Sequence, residues 1–536
     1  MFMKNLLYCL SIAGCISWSL TSCSDLTIDE SVYHTKTYQF SDFSMVKEVM
    51  TNVYGYLESG FSVIDGTMRD CASDDAVFTG NYDPVQRFYD RSWSSNYLID
   101  DKWGYYYEAI RAANYLLENC PDDFPSAQWQ ETYDRDLEQL RNFPWEAKAL
   151  RAWFHFELLK RYNRIIIADH SFSPEEVNHL KQVSFEEATS WICDELADAA
   201  ENLPADYDSG LMAQFSELGR VTKGFALAAR ARILLYAASP LNNPDANPEK
   251  YFKAAEAAKD FLDWNASSQT YRLVEGEAFN IENAKCLIFG IIEAASNAFE
   301  SANFPVGYEG GNSGVCPSLN LVESFEEGDP RLAKTVISNG DTFKNIIVES
   351  FYGGRNGPPR DLASPTSFYL RKFIQESTRL DVGNTTSFQH IWPVVRLQEV
   401  YLNYAEALFE ATGDPYFKGI HSDYDYTMSP VEAVNAVRAA APVPSLPSGL
   451  DNDTFRIRLR NERRVELAFE DHRFWDIRRW KSGNETKEIY GLSIEYGGNS
   501  EKIIVQSRIW DDKMYFYPIP ASELFKNVEL KQNPGW

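Results

Sequence analysis

Arg460–Trp480 reads RNERRVELAFEDHRFWDIRRW, and eleven of its 21 residues ionise, six arginines against five acids with no lysine. Such a segment suits an active site, a polyanion clamp or an internal brace. The near balance of sign disfavours the clamp, which needs clustered cations facing phosphate. Glu462, Glu466 and Glu470 recur at four-residue steps, on one side of a helix, with Arg460, Arg463 and Arg464 interleaved. Opposite charges three or four apart pair along a helix. Val465, Leu467, Ala468, Phe469, Phe474 and Trp475 thread the same segment. A helix both aromatic and arginine-rich is partly buried, and there guanidinium groups fork onto carboxylates and backbone carbonyls. The segment reads as a brace.

Other catalytic signatures are missing. The sequence has no H-E-x-x-H, G-x-S-x-G, Walker loop, G-x-G-x-x-G or EF-hand loop. Its seven histidines are scattered without metal-ligand spacing. Carboxylates are the harder case, because a glycosidase needs only two, roughly 5–10 Å apart. Asp74–Asp75, Asp100–Asp101 and Glu326–Glu327 qualify by adjacency, but among 78 acids such pairs arise by chance. No catalytic residue, metal or cofactor is assigned.

The elements that position these residues are helical. WEAKALRAWFHFELLKRY (145–162) carries Ala147, Leu150, Phe154 and Leu158 at three- and four-residue steps, an apolar stripe of helical period. RVTKGFALAARARILLYAA (220–238) is a second helix, whose alanines permit close contact and which Ser239-Pro240 stops. A third runs over 395–411 to Gly413-Asp414-Pro415, and a fourth starts near Ser429-Pro430. Helix pairs of this small-and-aromatic kind suggest tetratricopeptide-like packing, although no 34-residue period is kept. Residues 296–365 are irregular and rich in Gly, Asn, Ser, Pro and aromatics, and long loops in compact proteins are often functional. Cys286–Ile292 looks like a buried strand, and Met514–Pro520 is a candidate for another.

The net charge of −27 repels nucleic acid and argues against docking on an anionic membrane by charge alone. The first 22 residues read as a signal peptide, with Lys4 as the positive start and an apolar run from Leu6 to Leu20 too short to span a bilayer. Leu20-Thr21-Ser22-Cys23 resembles a bacterial lipobox, in which Cys23 is lipidated and becomes the first residue. Residues 23–40 form a polar tether. Cys71, Cys120, Cys193, Cys286 and Cys316 are far apart and odd in number, so no disulfide framework is expected, with one bridge left open.

Several of these motifs together resemble one family. Arg460–Glu470, followed by Arg473, Asp476, Arg478, Arg479 and Trp480, is similar to the carboxy-terminal signature of the SusD/RagB family. The helices at 146–162 and 219–240, Gly328-Asp-Pro-Arg331, Val395–Glu399, Tyr404–Ala407, Tyr517–Pro520 and Gln532–Trp536 match in order. Two places depart: Asn163–Ile167 replaces a usual glycine and Val-Pro, and Arg438–Ala441 replaces Arg-x-Arg-Ala. The resemblance implies a mainly α fold of tetratricopeptide-like helix pairs, with a loop-rich ligand face and a few short strands. It divides the chain into 41–285 and 286–536, closely joined. It implies a non-enzymatic, surface-exposed lipoprotein of a Gram-negative outer membrane. Such a protein captures oligosaccharides and delivers them to a SusC-like TonB-dependent transporter. A glycoside hydrolase and a peptide-binding family member are the alternatives.

Sugars offer apolar C–H faces ringed by hydroxyls, so a site for them wants flat aromatics edged by Asn, Asp, Arg or Gln. Two windows qualify. In 78–107, Tyr82, Tyr89 and Trp93 lie in aperiodic sequence beside Asn81, Asp83 and Arg91, while Trp103 and Tyr107 belong to a helix core. The second window is the glycine-rich loop holding Phe304, Tyr308, Asn312 and Ser313. Asn81, Tyr82, Tyr89, Trp93, Phe304, Tyr308 and Asn312 are the candidate ligand residues.

Overall fold

A computed structural model of the chain describes residues 35–80, 84–207, 218–276, 280–281 and 284–536. Cys23, Asn81 and Tyr82 lie outside the described residues. The main helices are α1 (Phe43–Tyr54), α2 (Trp103–Leu117), α3 (Tyr133–Tyr162), α4 (Phe185–Asn202), α5 (Lys223–Ala238), α6 (Pro248–Ser268), α7 (Leu397–Thr412), α8 (Pro430–Ala440), α9 (Asn452–Glu466) and α10 (Arg473–Arg479). From α2 to α8 each packs on its neighbour in the chain, the tetratricopeptide-like arrangement that the small-and-aromatic helices suggest.

Local chemistry sets the helix ends. Ser184 and Ser429 close capping boxes with Glu187 and Glu432 at the starts of α4 and α8. Thr222 accepts the Phe225 N–H at 3.3 Å to begin α5. Gly413 ends α7 in the left-handed region, at φ 64°. Ala226, Ala228, Ala229 and Ala231 of α5 and Ala254, Ala255, Ala257 and Ala258 of α6 are all buried, so these two backbones approach closely.

The strands are β1 (Ala76–Phe78), β2 (Leu287–Ile292), β3 (Val315–Pro317), β4 (Val336–Ile337), β5 (Thr342–Phe343), β6 (Ile346–Ile347), β7 (Tyr369–Leu370), β8 (Ile391–Arg396), β9 (Gly419–His421), β10 (Tyr424–Tyr426), β11 (Glu488–Ile494) and β12 (Ser500–Ser507). They form antiparallel two-stranded pairs. The β2–β8 pair closes off residues 293–390 as a loop lobe, and just inside it Ser296 and Phe388 exchange backbone bonds of 2.9 and 3.0 Å. The lobe has its own small core of Phe304, Ile337, Phe343, Val348 and Tyr369, completed by Val77 of β1 and Ile489 of β11.

Three expectations need correction. The helix expected over 395–411 begins at Leu397, because Val395 and Arg396 belong to β8 and pair with β2. Met514–Pro520 is no strand: Asp512–Tyr515 is a 3₁₀ turn, and Pro518 and Pro520 have no N–H for a ladder. The arginine-rich helix is broken after Glu466, where Phe469 (φ 59°) and Asp471 (φ 61°) turn the chain. Glu470 therefore sits in the turn, apart from the helical face of Glu462 and Glu466. The five described cysteines are free, and all but Cys120 are buried. Among the described residues no helix is long and apolar enough to cross a membrane.

Candidate functional site

The arginine-rich segment is a brace, but its partners come from distant elements more than from its own helix. Arg479 donates to Asp476 at 2.7 Å, to Glu406 of α7 at 2.7 Å and to Ser239 at the end of α5 at 3.0 Å. Arg463 bonds Asp476 at 2.8 Å and Asn403 at 2.6 Å. Glu462 receives Arg331 from the loop lobe at 2.5 Å and Arg438 of α8 at 2.6 Å. Arg396 of β8 bonds Glu470 at 2.7 Å. Apart from the half-buried Arg331 these groups are buried, which is costly unless each charge is matched. Burial alone would raise the Glu406 carboxyl; the Arg479 guanidinium outweighs it and brings the pKa down to about 2.

The same bonding occupies at least one acid of each adjacent pair. Asp74 and Asp75 hold Arg473 (2.8 Å) and Arg464 (2.6 Å). Asp100 lies between Arg69 and Arg161, 2.9 and 3.3 Å away, and accepts the Tyr517 hydroxyl at 3.1 Å. Glu326 takes Arg438 and Arg458, at 2.8 and 3.0 Å. Among the described residues no group of three His, Cys, Asp or Glu is placed to hold a metal ion.

The loop lobe has a different character. Pairing of β1 with β3 sets Phe78 opposite Val315, so the two windows chosen separately from sequence meet. Thr79 donates its N–H to the Gly314 carbonyl at 3.0 Å, and its hydroxyl reaches the Asn312 carbonyl at 3.4 Å. The 304–314 loop is tight. Ser313 N–H bonds the Phe304 carbonyl at 2.9 Å, and Val306 N–H bonds the Ser313 hydroxyl at 2.7 Å. At Gly307 (φ +95°) a Cβ would stand 2.6 Å from the Arg355 carbonyl, so only glycine fits.

Two predicted ligand residues stand at the surface of this lobe. Asn312 is exposed, with its amide donated to the Ser301 carbonyl at 2.9 Å. Tyr308 is half-buried; its ring meets Phe343 edge-on at 5.0 Å, and its hydroxyl donates to the Phe343 and Ile346 carbonyls at 3.1 and 3.3 Å. Burial pushes its phenol up. Three others are packing residues. Phe304 is 1 % exposed against Phe343. Trp93 is 2 % exposed and meets Phe88, Tyr517 and Trp536, each with ring centres 4.9 Å away. Tyr89 is buried beneath the Arg508 guanidinium at 4.2 Å. Their aperiodic sequence suggested a surface loop, but tertiary contacts cover them, from the carboxy-terminal segment over Tyr89 and Trp93 and from Phe343 within the lobe over Phe304.

Among the exposed aromatics that sequence reasoning missed, which also include Trp129 and Phe525, Tyr352 and Tyr496 belong to the loop lobe and the adjoining β11–β12 turn and are 67 % and 86 % exposed. Tyr352 N–H bonds the Ile494 carbonyl at 2.9 Å, tying its loop to the end of β11. Tyr496, in the β11–β12 turn, meets Phe351 at 5.5 Å. Asn356 bonds the Val306 carbonyl at 2.7 Å and so links this pair to the Tyr308 loop. For Tyr496 the sequence signal was a lone tyrosine before the Gly497-Gly498 turn, and Tyr352 lay within the aromatic-rich stretch 296–365 without being singled out.

Stacked helix pairs bearing a loop lobe define a scaffold of the tetratricopeptide-like class. The model of the SusD family matches residues 292–536, and a SusD-like family model described as "Starch-binding associating with outer membrane" matches residues 28–235. The chain belongs to the SusD/RagB family. A SusD-like protein from Bacteroides fragilis is 25 % identical, with a TM-score of 0.75 over 93 % of this chain and 98 % of that one. A SusD-like carbohydrate-binding protein from the same species is 23 % identical, with a TM-score of 0.70 over 92 % and 99 %. SusD-like protein P2 of Formosa agariphila is 26 % identical over 242 residues, which is 43 % of this chain and only 41 % of that protein.

Proposed function

We propose that this protein is a glycan-binding lipoprotein of the outer-membrane surface, anchored through Cys23, that captures oligosaccharide on the loop lobe and delivers it to a SusC-like TonB-dependent transporter. The observation that carries the reading is the exposed Tyr352 and Tyr496: the Tyr352 N–H bonds the Ile494 carbonyl, Tyr496 meets Phe351, and the Asn356 amide ties this loop to the Val306 carbonyl in the loop of Tyr308 and Asn312. Flat rings on a pre-formed support stack on sugar faces with little ordering cost. Named relatives support the ligand class: one solved structure with a TM-score of 0.63 is called a laminarin-binding SusD-like protein. The family description supports the membrane location. Enzymatic action has less support, since Asp74, Asp75, Asp100 and Glu326 are engaged by arginines.

A glycan array followed by calorimetry tests the reading. Tyr496→Ala and Tyr352→Ala are each expected to weaken the best glycan roughly tenfold, the worth of one stacked ring at a contact centre, with unchanged Tm. Full affinity in both variants refutes the site. Peptide binding without glycan binding, or accumulation of reducing ends, refutes the function. Cys23→Ala is expected to release the protein from membranes.

A further inference from the structure

The brace matches most of its charges, and among the described residues the buried arginines that it leaves unmatched are informative. Arg478 and Arg508 are 3 % and 8 % exposed, yet among the described residues neither has a carboxylate at ion-pair distance. Arg478 donates to the Phe474 carbonyl at 3.1 Å and lies over the Phe474 ring at 3.4 Å, and its Nε–H has no partner. Arg508 bonds the Cys71, Ser73 and Ala76 carbonyls and the Gln506 side chain. The acids that act on them from further off, Asp471 on Arg478 and Asp74 on Arg508, are already paired with Arg69 and with Arg464 and Arg473. Burial lowers the pKa of both guanidiniums, that of Arg478 to about 9.

Both arginines line one small cavity, of about 20 Å³, together with Lys487, Thr486, Tyr89 and Trp510. Lys487 is half-buried and also has no ion-pair partner among the described residues. Three cations thus share a pocket in a protein of net charge −27. We propose that this cavity is a binding site for a small inorganic anion of the halide class, which supplies the missing charge. Its size admits roughly one water-sized particle, which suits chloride and excludes phosphate or a carboxylate-bearing metabolite. An anion there removes the penalty of a buried, unmatched cation and locks β11–β12 onto α10.

Bromide is the probe, because its anomalous scattering distinguishes it from water. Crystals of the full chain soaked in sodium bromide are expected to show an anomalous peak within hydrogen-bonding reach of Arg478 Nε. In solution the wild type is expected to gain Tm in bromide over methanesulfonate at equal ionic strength, and Arg478→Met to lose that gain. The half-exposed Lys487→Gln is expected to raise the bromide concentration for half the gain about tenfold, the worth of one charged hydrogen bond. No anomalous peak in the wild-type cavity, or equal Tm gain in Arg478→Met, overturns the proposal.

Discussion

Replacing Arg479 by methionine is the sharpest test of the brace. Arg479 is 1 % exposed and joins α5, α7 and α10 through Ser239, Glu406 and Asp476. Without it Asp476 keeps Arg463, but Glu406 keeps only the Trp480 indole N–H at 2.7 Å. A buried carboxylate left without its cation costs about 3–5 kcal/mol. The titration gives a second route to the number: holding Glu406 at about 2 against an ordinary 4.5 is worth about 3 kcal/mol. The sign follows from linkage. A depressed carboxyl stabilises the wild type above pH 4.5, and that contribution fades as pH falls towards 2. In Arg479→Met burial instead raises Glu406, so the variant is weakest at neutral pH and the gap narrows on acidification. Urea unfolding at pH 7.5 and pH 5 measures both effects. Arg479→Met with Glu406→Met is expected to recover at least half the loss, because it removes the orphaned charge. A loss below about 1 kcal/mol at pH 7.5, the value of an exposed pair, refutes the reasoning.

Two further outcomes are expected. Trp93→Ala empties a site walled by Phe88, Tyr517 and Trp536 and should cost about 3–5 kcal/mol in urea unfolding; lost glycan affinity with unchanged stability would return Trp93 to the ligand face. Asp70 is 2 % exposed, and burial, followed by the charges of Asp471 and Asp75, holds its carboxyl well above the usual range. A raised carboxyl burdens the native state once pH exceeds the unfolded value. Asp70→Asn should therefore raise Tm at pH 7.5 and change it little near pH 3.5; a fall at pH 7.5 counts against it.

Periodic segments were legible from sequence and aperiodic ones were not. The stripe of Ala147, Leu150, Phe154 and Leu158 gave the carboxy-terminal part of α3, which begins further back at Tyr133 and runs through Pro144, and Ser429-Pro430 gave the start of α8, because caps and stripes act over a few residues. Arg479 announced a brace by composition, yet its partner Glu406 lies 73 positions away, beyond any helical spacing rule. The proposed ligand face shows the same divide. Asn312 in its glycine-rich loop stands at the surface, whereas Trp93 is covered by Tyr517 and Trp536 from the far end of the chain. Burial of that kind is decided by long-range packing, and so is the exposure of Tyr496.

Arg331 carries a last consequence. It rides on the loop lobe, yet Glu462 and Glu466 of α9 grip it at 2.5 and 3.0 Å, while the β2–β8 pair clasps the lobe at its root. These two fastenings hold the lobe to the helical scaffold, so the proposed ligand face is expected to bind without rearrangement, with association rates near those of rigid partners.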